Sequence, residues 1–89
     1  MNATAYYFYS DNCPPCVSLK PVIADLKEEF TSVEWVSVNI KEDTNNYAKE
    51  FDVKVTPTII VVKSTTGGFE KHSGSSPIGY YRIFRNATR

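Results

Sequence analysis

No segment of this chain is long and apolar enough to cross a bilayer; its longest aliphatic run is only Ile59 to Val62. An excess of one charge is missing too, because ten Lys and Arg balance ten Asp and Glu. Binding to nucleic acid or to a membrane surface calls for a basic excess or a basic stripe, so neither partner is expected. Met1 to Ser10 lacks the basic start and the extended apolar core of a secretory leader, which makes the cytoplasm the expected location. Cysteine is scarce, with Cys13 and Cys16 alone, whereas a disulfide-stapled secreted scaffold spreads more of them along the chain. Histidine is scarcer still. His72 and the two cysteines fall short of the four donors of a tetrahedral zinc site, so no metal is expected. There is no internal repeat, linker or low-complexity stretch. With 89 residues, 42% hydrophobic and 22% charged, the chain reads as one globular domain, 1–89, and as a monomer.

The aromatic run Ala5 to Tyr9, closed by Ser10-Asp11-Asn12, predicts a strand followed by a turn. Leu19, Val22, Ile23, Leu26 and Phe30 then recur at helical spacing and form one apolar stripe. Pro21 predicts a kink in that helix, since proline removes a backbone donor and crowds the preceding turn. Glu34 to Ile40 is a second strand. Asp43 or Thr44 is placed to cap a short helix ending near Phe51, with Tyr47, Ala48 and Phe51 inward. Thr58 to Val62 is β-branched throughout, as in a strand buried on both faces. Ser64 to Gly68 makes a turn and Phe69 to Ser73 a returning strand; Ser76-Pro77 opens a last helix carrying Tyr80, Tyr81, Ile83 and Phe84. The order β-α-β-α-β-β-α implies an α/β domain with a four-stranded mixed sheet and three helices. Strand–helix–strand units predict parallel pairing, with the final hairpin adding one antiparallel strand.

Cys13 falls between the first strand and the mouth of the first helix. There the partial positive charge of the helix end and its unpaired amides favour a thiolate, lowering a thiol pKa from about 8.5 toward neutrality. Pro14 and Pro15 suit the first turn, where their missing N–H groups had no intrahelical partner. They stiffen the loop and hold the sulfurs close, yet leave mainly the Cys16 amide to meet the thiolate. The chemistry that follows is exchange. Cys13 attacks a disulfide, and Cys16 then attacks Cys13 and releases the reduced product. On this reading Cys13 is exposed and Cys16 more buried. A purely structural Cys13–Cys16 bond closes too small a loop to stabilise much.

With Tyr6-Tyr7-Phe8-Tyr9 leading into Cys13-Pro14-Pro15-Cys16, Pro21 on the following helix, Val36 to Ile40, Val55-Thr56-Pro57-Thr58 and Ser73-Gly74, the chain resembles the thioredoxin superfamily along nearly its whole length. The resemblance implies a thioredoxin fold and a redox Cys13–Cys16 disulfide that reduces protein disulfides. It implies a cis bond before Pro57, which is rare among X–Pro bonds, with Thr56 backbone beside Cys13 to pair with a substrate strand. Gly74 falls where the family has a glycine beside the active site. Electrons are implied to come from a thioredoxin reductase or from glutathione, with no bound cofactor. Asn12, Tyr7 and Ser37 stand where thioredoxins usually have Trp, a buried Asp and a Lys, so the usual proton acceptor for the resolving thiol is absent and Trp35 is assigned to the core. Glutaredoxins share the short length but carry a basic residue before the cysteines and a Gly-Gly-Asp element. Here Ser10-Asp11-Asn12 and a hairpin Gly67-Gly68 occupy those places.

The main expectation is therefore a minimal thioredoxin-like reductase with a reductase partner. A glutathione-dependent glutaredoxin is the first alternative, and a redox-inert docking module or a metal- or cluster-binding module the second. His72, on the last predicted strand, is expected at an exposed edge.

Overall fold

The computed structural model describes residues 3–88, so residues 1, 2 and 89 of the expected 1–89 domain lie outside the described residues. The first strand, β1, covers Ala3–Tyr9; its small or apolar positions Ala3, Ala5 and Phe8 are buried. It leads into α1, Pro14–Glu29, which runs through Pro21 and buries Cys16, Leu19, Ile23 and Leu26. Leu19, Ile23 and Leu26 belong to the stripe the spacing predicts, and its other members, Val22 and Phe30, are partly buried against the same core. Then follow β2 (Val33–Asn39), α2 (Tyr47–Glu50), β3 (Thr58–Lys63), β4 (Phe69–Ser73) and α3 (Pro77–Ala87).

The sheet order is β2-β1-β3-β4. β1 and β2 are parallel, as a strand–helix–strand unit requires. β3, however, lies antiparallel to β1, so two antiparallel pairings occur rather than one. The reason is the brevity of α2. A single turn of helix cannot carry the chain back along the strands, and β3 instead starts where β1 ends, with Thr58 opposite Phe8. This register delivers Thr56 and Pro57 to the end of the sheet that holds the cysteines.

One face of the sheet is covered by α1 and α3, with Leu19, Leu26, Ile59, Val61, Tyr80 and Phe84 among its buried residues. On the other, Phe8, Val38 and Ile60 are packed by Tyr6, Tyr47, Ala48 and Phe51. α2 starts later than predicted, because Asn46 adopts left-handed backbone at φ 56° just before it. Asp43 still closes its end. Its carboxylate accepts the amides of Tyr47 at 3.0 Å and Ala48 at 2.7 Å. Ser76 holds the cap position of α3 without a side-chain hydrogen bond, and Pro77 supplies the first turn.

Candidate active site

Cys13 is the N-cap residue of α1, and Pro14 and Pro15 fill the first two helical positions. Neither proline has an N–H, so the first amide able to reach the Cys13 sulfur is that of Cys16, at 3.2 Å. The two cysteines are joined as a disulfide, with Cα atoms 5.1 Å apart. Exposure differs from the expectation. Cys13 is 7% exposed and Cys16 5%, so Cys13 is nearly as buried as its partner. The bond ties its sulfur back toward the helix, and Thr56 closes over it.

Thr56 Oγ1 donates toward Cys13 Sγ at 3.5 Å and lies 3.2 Å from Ser10 Oγ. The Thr56–Pro57 peptide is cis. Pro57 is fully buried, and its carbonyl accepts the Gly74 amide at 3.0 Å. Gly74 takes φ +97°, a backbone region that disfavours any side chain. Thr56, Pro57 and Gly74 are thus brought together with Cys13. Spacing alone did not reveal Tyr80. It is fully buried and its hydroxyl reaches the Gly74 and Pro57 carbonyls, tying both loops to α3. Burial, foremost, holds its hydroxyl protonated far above the ordinary tyrosine range. His72, expected at an exposed edge, is partly buried, its ring edge-on to Tyr80 at 4.6 Å. The space it occupies exists because residue 79 is glycine; a Cβ there would run into the imidazole.

On the other side of the disulfide, between α1 and the β1–β2 pair, is a cavity of about 390 Å³. Cys13, Cys16, Tyr7, Tyr9, Lys20 and Trp35 contribute to its wall. Trp35 is therefore both core and site: it stacks on Phe84 at 5.3 Å and reaches the cavity. Tyr7 stacks on Tyr9, and burial chiefly, with the neighbouring Tyr9, raises its pKa. At neutral pH Tyr7 is a proton donor and no substitute for a carboxylate base. Asp11, which faces the same cavity, is held by the Asn39 amide at 2.9 Å.

The thioredoxin family model matches residues 3–79. This chain belongs to the thioredoxin family. Thioredoxin H3 of Arabidopsis thaliana is 41% identical over 51 residues, which are 57% of this chain and 42% of that protein. Thioredoxin H5 of the same plant is 34% identical over 56 residues, 63% of this chain and 47% of the relative. The chain thus matches under half the length of either. Oxidised mitochondrial thioredoxin 3 of Saccharomyces cerevisiae superposes with a TM-score of 0.84 at 24% identity, covering 96% of this chain and 78% of that one. That likeness shows the thioredoxin fold, with the element order expected from the sequence. Among the described residues, no helix is long and apolar enough to cross a membrane.

Proposed function

We propose that this protein is a thiol–disulfide oxidoreductase that reduces protein disulfides, with Cys13 attacking and Cys16 resolving, within one domain over 1–89. The observation that carries the reading is the Cys13 sulfur at the mouth of α1, contacted by the Cys16 amide and the Thr56 hydroxyl. Both donors favour the charged sulfur over the neutral thiol. The Cys13 thiolate attacks one sulfur of the substrate and expels the other as a thiolate. Cys16, deprotonated, then attacks the Cys13 sulfur and releases the second substrate thiol. One substrate disulfide becomes two thiols while the protein dithiol becomes the Cys13–Cys16 disulfide, a two-electron exchange.

Thr56, with cis-Pro57 and Gly74, forms the ledge on which a substrate strand lies beside Cys13. The cavity behind Cys16 is roomy enough for water to take the resolving proton, since a water occupies about 30 Å³. The electrons come from a thioredoxin reductase or from glutathione and pass through sulfur alone, so no bound cofactor is needed. Disulfide-containing proteins and the reductase are the partners. The protein works as a cytoplasmic monomer without nucleic acid or membrane, in keeping with its balanced charge and its single reactive cysteine pair.

Insulin reduction, driven in turn by thioredoxin reductase and by glutathione, tests this. Turnover with the flavin enzyme supports the thioredoxin reading. Turnover with glutathione alone transfers the protein to the glutaredoxin reading, and none with either removes the reductase assignment.

A further inference from the structure

We infer that the cavity beside the disulfide is a binding site for small disulfides that carry carboxylates, a substrate class in addition to protein disulfides. The inference rests on the exchange chemistry proposed above. Cys16, Lys20, Ile23 and Lys27 fall at successive steps of four, three and four residues along α1, so they form one stripe on its surface. All four contribute to the cavity wall, facing Tyr7, Tyr9 and Trp35 of β1 and β2. The volume, about 390 Å³, falls in the range of small-molecule sites.

The stripe is cationic, and neither of its charges is neutralised by a carboxylate partner among the described residues. Lys27 lies 5.3 Å from the centre of the Trp35 ring. Asp11 is the one carboxylate on the wall; it keeps its charge while accepting the Asn39 amide at 2.9 Å, and the two lysines still leave the wall with a positive balance. Lys20 is one helical turn beyond Cys16, and Lys27 about 10 Å further along the axis. A disulfide that presents its sulfurs to Cys13 therefore meets a cation one turn away and, if it is peptide-sized, a second. The aromatic wall covers the aliphatic part between. The exchange balances: protein dithiol and RSSR give the Cys13–Cys16 disulfide and two RSH.

The test uses three disulfides that differ in charge: dithiodipropionate, bis(2-hydroxyethyl) disulfide and cystamine. Oxidation of the reduced protein by each is followed as loss of free thiol, for wild type and for Lys20→Gln/Lys27→Gln. Dividing each wild-type rate by the variant's rate cancels the intrinsic reactivity of the disulfide. The expected ratio is about three- to tenfold for the dianion, given the modest worth of exposed charge pairs. It is near one for the neutral compound and below one for the dication, and the spread shrinks in high salt. Lys49→Gln, on α2, should leave all three ratios at one. Equal ratios across the three charges would overturn the inference while insulin turnover persists; failure of insulin reduction as well would instead indict the exchange chemistry itself.

Discussion

Replacing Gly79 by alanine should destabilise the protein, and removing the His72 ring should reverse the sign of that effect. A methyl at position 79 falls inside the van der Waals envelope of the His72 imidazole. The ring is no free rotor, because it packs edge-on against the fully buried Tyr80 and its Nε2 is buried. Forcing extra volume into such packing costs about 1–3 kcal/mol. Against this stands the helical preference of alanine over glycine, about 0.5–1 kcal/mol, at the low end in a first turn. Overpacking wins, and the net loss is about 1–2 kcal/mol, or roughly 5–15 °C in melting temperature for a domain of this size. In a His72→Ala background the methyl has room, and the same change should stabilise by about 0.5 kcal/mol. Urea unfolding of the wild type, both single variants and the double variant gives a coupling energy of about 1.5–2.5 kcal/mol. If Gly79→Ala shifts stability equally in both backgrounds, the imidazole is not what requires glycine there.

Tyr80→Phe keeps the ring and removes the hydroxyl that joins Gly74 to Pro57, so stability should fall by about 1 kcal/mol in urea unfolding. Burial raises the folded-state pKa of Tyr80 above the ordinary 10.0, so its contribution is complete below pH 10 and is lost as the pH climbs beyond it. Stability of the wild type should therefore decline more steeply above pH 10 than that of Tyr80→Phe. Asp43→Ala removes both acceptors at the start of α2 and should cost about 1 kcal/mol by the same measurement. Thr56→Val removes a hydroxyl that donates toward the Cys13 sulfur and should slow alkylation of the reduced protein by iodoacetamide at neutral pH by roughly two- to fivefold.

Much of the fold was legible because it is written in local chemistry. The apolar spacing Leu19, Ile23, Leu26 marks the buried face of α1, and the β-branched run from Thr58 marks a central strand. Turn residues and Pro77 placed the remaining boundaries within a few positions. The direction of β3 was not legible, since it depends on how far residues 40–57 can travel, and α2 proved only one turn long. The cysteine pair announced itself through its prolines. The burial of Cys13 did not, because it depends on Thr56, which approaches from 43 residues away. Tyr80 reads along the chain as one more aromatic of a packed helix, and its polar role exists only once Gly74 and Pro57 stand over it. Lys20 and Lys27 carry no signal along the chain, because the wall they share with Tyr7, Tyr9 and Trp35 exists only in the folded domain.

The most direct test of the reductase assignment is covalent capture. Reduced Cys16→Ser protein, which retains only Cys13, should form a mixed disulfide with an oxidised protein substrate and hold it, giving a conjugate that a reducing agent dissolves. Reduced Cys13→Ser protein should give little or none. A conjugate that forms through Cys16 instead, or none with either variant while the fold stays intact, would contradict the account.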